Sequence, residues 1–140
     1  MRRVALISQL LANELGAGGD FSELLLGAAP MHDIGKVGIP DRILMKPGRL
    51  DGGEWGVMQN HATIGYELLK DSESKLLQLG AEVALTNHKK WNGQGYPNSL
   101  AGEAINFLTR VDPALLLERG WFPRRDLFGV PTIVTGTLII

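Results

Sequence analysis

At 140 residues the chain is one domain's length, enough to bury roughly two thirds of its unfolded surface around a single core. A composition of 44% hydrophobic and 21% charged residues excludes a disordered tail, and 14 basic against 15 acidic side chains leave a net charge of −1, with no global field for DNA or an anionic membrane. Zero cysteines exclude disulfides, thiolate zinc sites and cysteine nucleophiles together, so any metal has to be held by His, Asp or Glu.

In chain order, Val4, Ile7, Leu10, Leu11 and Leu15 recur at helical spacing as one apolar face, which predicts a first helix over about 3–15, ended by Gly16 and Gly18-Gly19. Asp20-Phe21-Ser22-Glu23 reads as a capping box opening a second helix that leads into His32-Asp33. From Gly35 to Gly53, glycines with Pro40 and Pro47 break the periodicity, predicting a functional loop with one short helix around Asp41 to Leu44.

A second capping box, Asp51-Gly52-Gly53-Glu54, opens a helix that carries His61 in its middle and ends near Lys70-Asp71. Ser72 begins another, with His88 at its C-terminal end, and Asn92 to Asn98 form a turn-rich loop. Beyond Arg110 the pattern breaks up, and Thr132-Ile133-Val134 alone reads as a strand. The start lacks a signal peptide's apolar run, and Thr132 to Ile140 is far shorter than the ~20 residues a membrane helix needs, so a cytoplasmic protein without a membrane span is expected.

His32, His61 and His88 lie 29 and 27 residues apart, one per helical segment. Side chains converging from different helices make a metal pocket, and Asp33 adds a carboxylate able to bridge two ions; such a set suits Fe, Mn, Zn or Ni. A lone histidine is more often a surface or core residue than a ligand, so spacing by itself settles nothing.

The run His32-Asp33-Ile34-Gly35-Lys36-Val37-Gly38-Ile39-Pro40-Asp41, then Lys46-Pro47-Gly48, His61, and Gly95-Tyr96-Pro97 after His88, resembles the signature of HD-GYP domains of the HD phosphohydrolase superfamily over about residues 3–110. That resemblance implies an all-α HD-domain helical bundle over residues 1–111, followed by an irregular, divergent C-terminal tail over 112–140. It also implies a di- or trinuclear iron or manganese centre hydrolysing cyclic di-GMP to linear pGpG or GMP. By family position His32, Asp33, His61 and His88 would be metal ligands, Asp33 bridging and catalytic. Lys36 would contact a substrate phosphate in catalysis. Gly95, Tyr96 and Pro97 would form a loop motif presenting Tyr96 to a partner, such as a diguanylate cyclase or receiver domain, or else a structural turn.

The chain departs from that pattern in ways that weaken metal binding. Where active members read His-His-Glu and then Asp, this sequence has Asn87-His88-Lys89 and Asn92. An amide oxygen is a far weaker donor than imidazole, and Lys89 places a cation where a carboxylate is usual. The family's first ligand histidine would precede Met1. The C-terminal aspartate position falls on Leu116 by ungapped count, with Asp112 nearby, and Arg124 and Arg125 match the family's basic residues only loosely. The expectation is a truncated member with reduced metal occupancy and impaired phosphodiesterase activity, or a non-catalytic interaction module in cyclic di-GMP signalling.

Overall fold

The computed structural model describes residues 2–90 and 92–101. Among them the chain is all helical, as expected: α1 (Arg2–Glu14), α2 (Gly19–Ala28), a 3₁₀ segment (Ala29–Gly38), α3 (Asp41–Leu44), α4 (Gly52–Gln59), α5 (His61–Leu69) and α6 (Lys75–Thr86). The expected tail over 112–140, with Asp112, Leu116, Arg124, Arg125 and the Thr132 to Val134 strand, lies outside the described residues.

α1 turns the other way from its apolar stripe. Its buried positions are Ala5, Ser8, Leu11 and Ala12, whereas Val4, Leu6, Ile7, Leu10 and Leu15 are exposed. Small side chains let α1 approach α2 closely, and Leu11 and Ala12 join Leu25 in a core flanked by Phe21, Leu79 and Val83. Of the apolar face read from the sequence, only Leu11 is buried.

The capping box expected at Asp20 is not formed. The helix begins two residues earlier, with Gly18 at the N-cap at a φ of 86°, which puts Asp20 inside the first turn instead of ahead of it. Ser22 ties the start down instead, its Oγ donating to the Gly18 carbonyl at 3.0 Å. The box at Asp51 is complete: Glu54 N–H donates to Asp51 Oδ1 and Asp51 N–H to Glu54 Oε2, both at 2.9 Å. Lys46 adds an ion pair to the same Glu54 oxygen at 2.5 Å. Asp51→Ala should therefore cost about 1 kcal/mol in urea unfolding, the usual effect of losing such a cap.

The single helix expected from Asp51 to Asp71 is two. At Asn60 the ladder tightens, with Asn60 N–H donating to the Val57 carbonyl at 3.1 Å, while the backbone stays in the right-handed helical region. The interruption puts His61 at the first position of α5 instead of mid-helix. α6 starts at Lys75, later than expected, because Ser72 caps a turn: its Oγ accepts from Ser74 N–H at 3.2 Å and its carbonyl from Gln78 Nε2 at 2.8 Å.

α5 packs on both the 3₁₀ segment and α6, which also pack on each other, and this mutual packing positions the histidines. It depends on glycine. A Cβ on Gly35 would overlap the His61 carbonyl and the Gly65 amide, and one on Gly65 would lie 2.9 Å from the Ala84 Cβ. Backbone therefore meets backbone where Asp33 must face His61.

Candidate metal centre

The 3₁₀ segment brings His32 and Asp33 to the site as neighbours, α5 brings His61 at its first residue, and His88 follows two residues after α6 ends. These three elements converge: one donor atom each from Asp33, His61 and His88 lies within 4.8 Å of the others, a grouping able to hold a metal ion. His61 Nε2 is 3.1 Å from His88 Nε2 and 3.6 Å from Asp33 Oδ1. His32 Nε2 faces the other carboxylate oxygen, Oδ2, at 3.4 Å.

Backbone carbonyls orient two of the rings. His61 Nδ1–H donates to the Met58 carbonyl at 2.7 Å and His32 Nδ1–H to the Ala29 carbonyl at 2.8 Å, so each ring turns Nε2 toward Asp33. Fixing the far nitrogen in this way is how a protein selects the ligating tautomer. Two nitrogens each about 2.1 Å from a common ion, and about 90° apart around it, stand about 3 Å from one another. The spacing of His61 and His88 fits that arrangement, and the donor set fits a divalent transition metal.

Electrostatics favour the same use. Asp33 is held well below the usual carboxylate range, first by His32 and then by Lys36, whose Nζ donates to Oδ2 at 2.7 Å; desolvation opposes both. The His32 imidazole is raised in turn by Asp33. His88 goes the other way: burial, then repulsion from His61, lowers it to about 4, which keeps its ring neutral at physiological pH. Because its pKa is depressed on folding, His88 contributes stability that is present above its unfolded value of 6.5 and lost as pH falls toward 4. Chelator-treated protein should lose melting temperature across that window, and His88→Gln should flatten the loss; parallel slopes would show that this burial is not felt.

The loop motif closes over the site. Tyr96 stacks on the His88 ring, with centroids 4.6 Å apart and planes 18° from parallel, and meets Trp55 edge-on at 6.0 Å. Burial pushes its phenol up to about 12. Its ring thus packs on a histidine of the cluster while remaining partly exposed. Gly95 allows the closure, since a Cβ there would overlap the Lys90 amide and the His88 carbonyl. Trp55, the Met58 carbonyl and the Gly35–Gly65 contact were not anticipated from the sequence; glycines placed two residues after Asp33 and four after His61 are the signal that could have indicated the last of these.

Among the described residues, Asn87 does not point its oxygen at a partner. Its Nδ2 donates to the His32 carbonyl at 3.2 Å, tying the end of α6 to the His-Asp segment, while Oδ1 is buried without a hydrogen bond. Lys89, 4% exposed, also buries its Nζ with no partner among the described residues, and desolvation lowers its pKa.

Comparisons with known proteins agree with this geometry. The sequence profile described as HD domain matches residues 1–119. This chain belongs to the HD domain family. Among curated relatives, the HD domain chain is 45% identical over 111 residues to 3'3'-cGAMP-specific phosphodiesterase 2 of Vibrio cholerae, covering 79% of this chain and 21% of the relative. It is 52% identical over 103 residues to a cyclic di-GMP phosphodiesterase of Thermotoga maritima, covering 74% and 28% respectively. Against the cyclic di-GMP phosphodiesterase response regulator RpfG of Xanthomonas campestris the figures are 42% over 111 residues, 79% and 29%. Together with Gly95-Tyr96-Pro97, these relatives place this HD domain in the HD-GYP branch. The chain spans less than a third of the length of the curated relatives it matches. No helix among the described residues is long and apolar enough to cross a membrane.

Proposed function

We propose that this HD domain is the metal-binding part of a cytoplasmic phosphodiesterase that opens cyclic di-GMP to pGpG or GMP, with weakened activity in this chain. The observation that carries the reading is the convergence of Asp33, His61 and His88 from three elements. His32, Asp33, His61 and His88 hold the metal, iron or manganese, and Asp33 is the ligand with an oxygen toward each side. The chemistry a divalent ion supplies in such a site is polarisation of a phosphoryl oxygen and activation of water. The rest falls to the chain's own groups. The carbonyls of Ala29 and Met58 hold the proton of each imidazole away from the site. Lys36 presents an ammonium for a substrate phosphate, and the Tyr96 face excludes water from His88.

The relatives' names supply two cyclic dinucleotides, cyclic di-GMP and 3'3'-cGAMP, of which the first is the proposed substrate. The experiment is to load the purified chain anaerobically with Fe(II) or Mn(II) and follow cyclic di-GMP by chromatography. Linear product that disappears in His61→Ala supports the enzyme. Bound metal without product supports the second reading, a non-catalytic module docking a diguanylate cyclase or receiver domain. Asn87 Oδ1 and the buried Lys89 ammonium, neither with a partner among the described residues, favour that second reading.

A further inference from the structure

α4 buries none of its residues, so Trp55 is not there to fill a core, and it stands 47% exposed. A singly exposed apolar residue is ordinary on a protein surface; what sets this one apart is its neighbour. The indole meets the Tyr96 ring at 6.0 Å with planes 85° apart, and Tyr96 lies flat on His88 at 4.6 Å. Tyr96 also meets His61 edge-on at 6.3 Å. A run of touching rings thus leads from two histidines of the metal cluster out to an exposed indole. The edge-on contact with Tyr96 takes up at most one face of that indole. Its backbone is fixed as well. Glu54, the preceding residue, closes the capping box and takes the Lys46 ion pair, and Trp55 N–H donates to the Asp51 carbonyl at 2.8 Å. A tryptophan on such a backbone has two χ angles to order, so it offers a large contact face at low entropic cost.

We infer that Trp55 is a substrate-binding residue, its indole stacking a purine base of a cyclic dinucleotide whose phosphate sits at the Asp33, His61 and His88 cluster. The inference rests on the phosphodiesterase reading above and deepens it by naming what holds the base. Metal ions and the Lys36 ammonium address phosphate oxygens, and such contacts position a nucleotide without sensing its base. Affinity for the base comes from groups outside them, and Trp55 supplies one. A nucleotide carries its base beyond its phosphate by the width of a sugar, and the Tyr96 ring sets a comparable offset between His88 and the indole. Stacking uses the π face common to all bases, so the indole grips guanine without reading its hydrogen-bonding edge.

The test uses two probes that share a sugar phosphate and differ in the base, guanosine 5'-monophosphate and ribose 5-phosphate, titrated calorimetrically into the Mn(II)-loaded full chain. The natural protein should bind the guanosine monophosphate about tenfold more tightly or better, the effect of one base on an aromatic ring. In Trp55→Leu, apolar but without a ring, that preference should fall to about threefold or less while ribose 5-phosphate binds as before, and Trp55→Phe should keep an intermediate preference. A second readout leaves residue 55 intact. With Trp91→Phe and Trp121→Phe, Trp55 becomes the only tryptophan of the chain, and guanosine monophosphate should quench its emission where ribose 5-phosphate does not. An unchanged preference in Trp55→Leu, or an emission that bound guanosine monophosphate leaves unaltered, would overturn the inference. Its failure is separable from failure of the phosphodiesterase reading. Binding that needs His61 and Mn(II) but ignores residue 55 sinks only the role of Trp55. A metal-loaded chain that binds neither probe sinks both.

Discussion

Gly35→Ala should destabilise the chain by about 4 kcal/mol or more, an effect at the upper end for single substitutions. The reason is positional. The new methyl would occupy the space of the His61 carbonyl and the Gly65 amide, both backbone groups that cannot rotate away. Relief requires the 3₁₀ segment and α5 to separate, and that separation pulls Asp33 from His61. Gly65→Ala is the milder companion: its methyl meets the Ala84 Cβ at 2.9 Å and the Gly35 amide nitrogen at 3.2 Å, an overpacking of about 1–3 kcal/mol. Urea unfolding of both variants, with Co(II) affinity measured in parallel, checks the ranking. If Gly35→Ala were as stable as the natural chain, the close approach that assembles the site would be refuted.

Asp33→Asn should reduce divalent-metal affinity by roughly 100-fold or more, beyond the 10–100-fold that supporting groups around a metal command. The substituted amide would keep the shape but lose the one carboxylate among the described residues that faces His61, His32 and Lys36 together. The His32 pKa, raised chiefly by Asp33, should fall in the same variant, which NMR titration of the imidazole reads independently of metal. An unchanged His32 titration with unchanged metal affinity would remove Asp33 from the centre of the site.

How much of this was legible in the residues depends on the range of the interactions. The Asp51 box formed as read because its two hydrogen bonds join residues three apart, and α3 over Asp41 to Leu44 stands between Pro40 and Pro47 as expected. The box at Asp20 failed although its pattern is as good, because Gly18 can take a positive φ and start the helix two residues sooner. The interruption before His61 was invisible to periodicity, since the apolar residues keep their spacing through Asn60.

The His32-Asp33, His61 and His88 set was readable as residue types in a motif, yet the direction of each ring was not. Ring directions come from the carbonyls of Ala29 and Met58 and from the stacking of Tyr96.

By itself, the sequence determined the helical class, the absence of thiol chemistry, the donor types open to a metal and the family motif, because these follow from composition and from contacts within a few residues. Tertiary structure alone decided which face of α1 is buried, that Gly35 meets Gly65, and that Asn87 ties the end of α6 to the His32 carbonyl. Those outcomes depend on how closely two backbones approach, and that distance is set by side chains far apart in the chain.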